Sequence, residues 1–243
     1  ADVTIMVLGL SQALEGEEGQ REGVETGASQ GDRKGLDLPK VQEELLKAVY
    51  DVGTPVVLVL MNGSAVSINW ADRHVPAIIE AWYPGQAGGA ALADVLFGDY
   101  NPGGRLPVTF YKSVEQLPPF TDYDMEKGRT YRYFTGEPLY AFGHGLSYTQ
   151  FTYSDLQITP RQPRTGECVE VSVSVENTGG RAGDEVVQLY VRDLEASVTV
   201  PVRQLAGFER IHLQPDEAQT VRFTLKPEQF SLVTDAGRRR VEP

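Results

Sequence analysis

The chain has 243 residues, 41% of them apolar and 23% charged, with a net charge of −12. This is enough for one large or two modest domains with real cores. The acidic balance argues against a nucleic-acid groove or an anionic membrane surface as partner, since both need clustered Lys and Arg. A single cysteine (Cys168) excludes an internal disulfide, and three scattered histidines (His74, His144, His212) do not have zinc-ligand spacing, so no metal or other cofactor is expected.

The first half alternates strand and helix signals. "VTIMVLGL" (Val3 to Leu10) is a continuous apolar run, the pattern of a strand buried on both faces. Its carboxyl end opens into "SQALEGEEGQREGVETGASQGDRKGLDL" (Ser11 to Leu38), a loop far longer than the roughly 2–6 residues usual in such units. "LPKVQEELLKAVYDVG" reads as a helix: Pro39 can start it, Val41, Leu45, Val49 and Val52 share one face, and Gly53 can end it. "PVVLVLMNG" and "PAIIEAWYPG" follow as further strands, and "GQAGGAALADVLFGDYNPGG" as a small-residue helix and a turn. In that helix, Gly85, Gly88 and Gly89 suit close packing against a sheet better than phosphate binding, because no Lys accompanies them. Strand, helix, strand, strand, helix with apolar strands predicts an α/β domain, a partial α/β sandwich with a mainly parallel sheet, over residues 1–110.

Residues 111–147 are rich in proline, glycine and aromatics with little periodicity, which suggests an ordered linker. Within it, Tyr131, Tyr133 and Phe134 alternate with Arg129 and Arg132, a pattern more consistent with a packing surface than with nucleic-acid binding. From residue 148 the period changes to two. In "CVEVSVSVENTG", Val169, Val171, Val173 and Val175 face one way, and Cys168 starts the strand as a packed thiol. "EVVQLYVRD", "RQLAGFERIHL" and "QTVRFTLKP" repeat the alternation between turns, which predicts an all-β sandwich over 148–243. The first residue is not Met and the "GRRRVEP" end carries no clear stop, so the chain is expected to be cut from something longer; any signal region would lie outside it, leaving the compartment open.

In open α/β sheets, ligands bind outside the carboxyl ends of the strands, where the long acidic loop begins. Glu15, Glu17, Glu18 and Glu22 would repel phosphate, which disfavours a nucleotide-binding reading. Carboxylates match a sugar better, because glycoside hydrolysis needs one acid to protonate the leaving oxygen and a second carboxylate to attack or activate water. On composition alone a solvated surface is the better account of such a loop.

"AWYPGQAGGAALADVLFGDYNPGGRLPVTF", "YRYFTGEPLYAFGHGLSYTQFTYSDL", "VSVSVENTGGRAGDEVVQLYV" and "PVRQLAGFERIHLQPDEAQTVRFTL" together resemble glycoside hydrolase family 3, the β-glucosidase and β-xylosidase group. The resemblance implies the later part of an α/β sandwich followed by a fibronectin type III-like domain. It implies a retaining hydrolase acting on terminal β-D-glucosyl residues of a β-glucoside or oligosaccharide. The aspartate nucleophile would lie on an N-terminal (β/α)8-type barrel outside this chain. The acid/base of that family sits in a Gly-Glu-Gly or Gly-Glu-Glu context, which points to Glu17, with Glu15 and Glu18 as alternatives. Glu15, Asp32 and Arg33 are candidates for substrate binding, Asp32 and Arg33 more readily for fixing the loop. Gln20-Arg21 stands where Asp-Arg often follows, and an insertion delays "GDRKGLDLP" to Gly31–Pro39. Trp70, Trp82 and Tyr83 can serve as sugar platforms or as packing, and Arg105 is expected to pair with an acidic group across a domain interface. The competing expectation is a non-catalytic carbohydrate-binding or interaction protein derived from the same family.

Overall fold

A computed structural model describes residues 1–16 and 33–242. Glu17, Glu18 and Asp32 lie outside the described residues. The chain divides into two compact units. One comprises Ala1–Asp94, Val108–Tyr123 and Gly136–Ala141; the other comprises Val95–Pro107, Asp124–Thr135 and Phe142–Pro243.

The first unit is built on a parallel sheet of three strands, β1 (Thr4–Gly9), β2 (Val56–Met61) and β3 (Ala77–Glu80), in the order β1-β2-β3. β2 is central. Val56, Leu58, Val59 and Leu60 are almost completely buried, so both of its faces are covered, as its unbroken apolar run requires. Each fully buried Val or Leu contributes about 1.5–3 kcal/mol. The expectation that β1 is buried on both faces is corrected. Met6 and Leu10 point into the core, but Val3, Ile5 and Val7 are exposed, because β1 is an outer strand and only one of its faces is packed. Helix α1 (Gln12–Glu15) follows β1 and is capped by Ser11, whose hydroxyl accepts from Leu14 N.

Helix α2 (Lys40–Tyr50) begins at Pro39, as its sequence predicts. It rests on the sheet through Leu46, with Val49 beside it, and Gln42 clamps the end of β1: Gly9 N donates to Gln42 Oε1 and Gln42 Nε2 donates to Gly9 O, both at 2.8 Å. The predicted inward stripe is a second correction. Val41, Leu45 and Val52 are exposed, since the helix turns Leu46 rather than this stripe toward the three strands. Helix α3 (Asn69–His74) buries Ala71 and stacks Trp70 on His74 with ring centroids 4.5 Å apart. Trp70 also packs against the core, so it serves as packing. In α4 (Gly88–Phe97) only Gly88 is sterically required, and the neighbour is Pro84, whose ring a Cβ would meet at 2.4 Å; Gly85 and Gly89 face open space. The predicted close packing of these glycines on a sheet is therefore not what selects them.

The second unit contains α5 (Thr130–Tyr133) and the antiparallel strands β4 (Phe151–Thr159), β5 (Val169–Asn177), β6 (Gly183–Val191), β7 (Gln204–Leu213) and β8 (Ala218–Leu225). They form a three-stranded sheet, β4-β5-β8, and a β6-β7 pair; β9 (Ser231–Val233) and β10 (Arg239–Val241) make a further hairpin. The inward residues of both sheets meet in two clusters, Val175, Val187, Ile211, Leu213 and Val221 in one, and Val169, Val171 and Leu225 in the other. Alternation along β5 holds: Val169, Val171 and Val175 are buried while Glu170 and Glu176 are exposed. Cys168 shares the outward parity of Glu170 and is exposed, correcting the packed thiol.

Arg105 finds an acidic partner, but within one unit and not across a domain interface, because the turn that carries it belongs to the same unit as β6. Its guanidinium meets Glu185 at 2.7 Å, with both side chains largely buried within this unit. The linker aromatics pack as anticipated: Tyr131 stacks on Phe142 at 4.1 Å and its hydroxyl accepts from Leu205 N.

Candidate active site

The carboxyl ends of the three parallel strands carry three turns: residues 10–16 after β1, Asn62–Ala65 after β2, and Ala81–Pro84 after β3. Glu15 ties them together. Its Oε1 accepts from Gly63 N (2.9 Å), Ser64 N (2.9 Å) and Ser64 Oγ (2.7 Å), and its Oε2 accepts from Tyr83 Oη (2.6 Å). Partial burial pulls this carboxyl upward, but the hydrogen bonds from Tyr83, Ser64 and Gly63 outweigh it, and Glu15 is held below the ordinary carboxylate range. The Tyr83 hydroxyl is pushed up to about 12, first by desolvation and then by the Glu15 charge, so it stays a donor.

Arg33 stands beside Glu15 at the other end of the acidic segment. Arg33 N donates to Glu15 O at 3.0 Å, which closes the base of the loop. Its guanidinium Nη2 donates to Ser64 Oγ (2.9 Å) and Ala65 O (2.7 Å), so the Ser64 hydroxyl accepts from Arg33 while donating to Glu15. Burial lowers the Arg33 pKa, and the Glu15 and Asp37 charges oppose that. Arg33 Nη1 is buried with no partner among the described residues.

Behind this knot sits a group that the motif reading missed. Glu80, the last residue of β3, accepts from Trp82 N through Oε1 (3.0 Å) and from Asn62 Nδ2 through Oε2 (3.2 Å). Asn62 is fully buried and its Nδ2 also donates to Ser64 O at 2.9 Å. Burial raises the Glu80 carboxyl to about 7; its two hydrogen bonds work against the rise and the Glu15 charge adds to it. Trp82 occupies the left-handed region at φ 55°, a conformation that costs about 1–3 kcal/mol and persists when neighbours enforce it. The bond from its N–H to Glu80 and the edge contact of its ring with Phe110 (6.0 Å) do so. The available signal for Glu80 was its place as the one charge in the apolar run "AIIEAWYPG".

Of the predicted site residues, Glu15 and Arg33 are thus brought together on Ser64. Among the described residues, no group of three or more His, Cys, Asp or Glu is arranged to hold a metal ion. Fixed amides, one hydroxyl and one phenol surround a carboxylate that remains anionic. This arrangement can organise a polar edge, and Glu15 itself is poorly suited to give up a proton.

The description "Glycosyl hydrolase family 3 C-terminal domain" matches residues 1–148, and "Fibronectin type III-like domain" matches residues 185–243. The chain belongs to glycoside hydrolase family 3. It is 46% identical over 220 residues to a xylan 1,4-β-xylosidase of Xylanibacter ruminicola, covering 90% of this chain and 25% of that protein. It is 41% identical to a periplasmic β-glucosidase of Salmonella typhimurium, covering 100% of this chain and 32% of that one. Among solved structures, a β-glucosidase from Erythrobacter marinus matches with a TM-score of 0.83 at 42% identity, over 100% of this chain and 32% of that chain. The β-D-glucoside glucohydrolase of Trichoderma reesei matches at 0.84 and 31% identity, over 99% and 37%. The chain therefore spans about a quarter to a third of the length of the curated relatives it matches.

Proposed function

We propose that this chain is the acid/base-bearing portion of a retaining β-glycosidase, a β-glucosidase that hydrolyses terminal non-reducing β-D-glucosyl residues. Glu17 is the acid/base, and an aspartate on an N-terminal barrel outside these residues is the nucleophile. The observation that carries the reading is the state of Glu15. The acidic segment leaves the carboxyl edge of a parallel sheet, where ligands of such sheets bind. Of the three glutamates considered for proton transfer, Glu15 is taken up by four hydrogen bonds and held anionic. A general acid must instead be protonated when it meets the glycosidic oxygen. This supports the assignment that the family resemblance implies, Glu17 first and Glu18 as its alternative.

The chemistry follows from two carboxyl groups about 5–5.5 Å apart. The nucleophile's charge keeps Glu17 protonated in the free enzyme. Glu17 donates to the leaving oxygen as the nucleophile bonds to the anomeric carbon. With that charge consumed, the Glu17 pKa falls, and Glu17 takes a proton from the water that releases the sugar with retained configuration. Arg33 holds the base of the loop through Ser64 and Ala65. The exposed apolar residues of β1 (Val3, Ile5, Val7) and α2 (Val41, Leu45) support a further stretch of polypeptide covering these surfaces.

The test uses the intact enzyme and a matched pair of aryl β-glucosides. Glu17→Ala should cut hydrolysis of the substrate with the poor leaving group by about 10²–10⁴-fold, and added azide should restore rate on the activated one. Normal activity in Glu17→Ala with loss in Glu18→Ala would move the role to Glu18. The 243-residue chain alone should give no product; turnover by it would refute a nucleophile supplied from elsewhere.

A further inference from the structure

The knot around Glu15 joins elements far apart in the chain. Its carboxylate bonds residues 48, 49 and 68 positions away, on the turns after β2 and β3. Its own carbonyl accepts from Arg33 N, and Arg33 returns to the same turn through Ser64 Oγ and Ala65 O. Glu15 and Arg33 are thereby bonded to one four-residue turn, Asn62–Ala65. That turn is itself held from behind, since Asn62 Nδ2 bridges Ser64 O and Glu80. Gly63 is required by the packing: a Cβ there would lie 2.7 Å from Glu15 Oε2 and 2.7 Å from the Tyr83 ring.

We propose that Glu15 is a positioning residue, whose carboxylate locks the Gly63–Ser64 turn and Tyr83 to the end of α1 and so sets the point from which the acid/base departs two residues later. The inference rests on the assignment of Glu17, and it gives Glu15 no proton to transfer. A carboxylate accepting four bonds cannot swing toward a sugar without abandoning two turns. Its value lies in orientation, where a displacement of about 1 Å can cost about 10²-fold in rate. Glu15→Gln preserves most of the geometry, because the amide oxygen can accept from Gly63, Ser64 N and Ser64 Oγ while the amide nitrogen faces the Tyr83 hydroxyl, which can turn to accept.

The experiment measures kcat and KM of the intact enzyme for a phenyl and a dinitrophenyl β-glucoside in Glu15→Gln, Glu15→Ala, Gly63→Ala and Glu17→Ala. Positioning predicts that Glu15→Gln stays within about tenfold of the unaltered enzyme. Glu15→Ala and Gly63→Ala should each lose about 100-fold on the phenyl substrate. Both should lose much less on the dinitrophenyl one, whose leaving group needs no proton. Glu15→Gln as inactive as Glu15→Ala, with azide rescue of either, would make Glu15 the acid and overturn the proposal. Equal losses on both substrates would reduce the knot to a support of the fold and also overturn it. Gly63→Ala keeps the carboxylate in the sequence, so it tests the geometry even if Glu15→Ala does not fold. Glu17→Ala tests the underlying reading separately: without its own leaving-group dependence, the assignment of Glu17 fails whatever the Glu15 variants do.

Discussion

Glu80 makes the stability of the α/β unit depend on pH in a direction opposite to most carboxylates. Its pKa rises from 4.5 to about 7 on folding, because burial at the end of β3 disfavours the charge more than Trp82 N and Asn62 Nδ2 stabilise it. A group with a raised folded pKa contributes stability that is fully present below about 4.5 and is lost as pH rises through about 7. At about 1.4 kcal/mol per pH unit, that rise is worth at most about 3.5 kcal/mol, of which about 3 kcal/mol or less is lost between pH 5 and pH 8. For a chain of this size, it corresponds to a fall in Tm of about 6–12 °C between pH 5 and pH 8. Glu80→Gln removes the titration. The amide also sets two donors against each other at Trp82 N or Asn62 Nδ2, a fixed cost of about 1–3 kcal/mol present at every pH. The informative quantity is therefore the slope of the difference between the two proteins. Thermal unfolding of both, followed by circular dichroism from pH 4.5 to pH 8.5, should show the gap narrowing or reversing as pH rises. A difference constant to within about 0.5 kcal/mol over that range would refute a neutral buried Glu80.

Two further outcomes follow from contacts outside the loop. Gly9 has φ 145° and a Cβ there would sit 1.9 Å from Met61 O, so Gly9→Ala must force β1 from β2 or unfold the unit. Chemical denaturation should show a loss of several kcal/mol, above the roughly 1 kcal/mol typical of a point change. Arg105 and Glu185 form a largely buried pair, so removing either charge alone should cost about 3–5 kcal/mol, while the double change to Met should recover much of it. A double-mutant cycle in urea without that recovery would show the pair to be unimportant.

Periodicity made much of the architecture legible, since side-chain alternation and the pleat share one cause. β5 shows this most plainly, its valines entering the core and its glutamates leaving it. The same reasoning failed at β1 and α2, and for one reason. An apolar run tells which residues avoid water, but Val3, Ile5, Val7, Val41 and Leu45 are covered only if something else packs on them, and among the described residues they remain exposed. At the site the limit is of another kind. Glu15, Glu17 and Glu18 are chemically identical in the sequence, and only folding brings the Tyr83 hydroxyl, 68 residues away, onto one of them. A carboxylate's chemistry is set by donors that converge on it from other strands, so a motif can name the loop that carries an acid while the hydrogen-bond donors decide which glutamate is left free to be one. By that criterion the informative part of "LEGEE" is its first glutamate: four donors fix Glu15 in place and hold it anionic, which suits it to organise the turns around it and not to give up a proton.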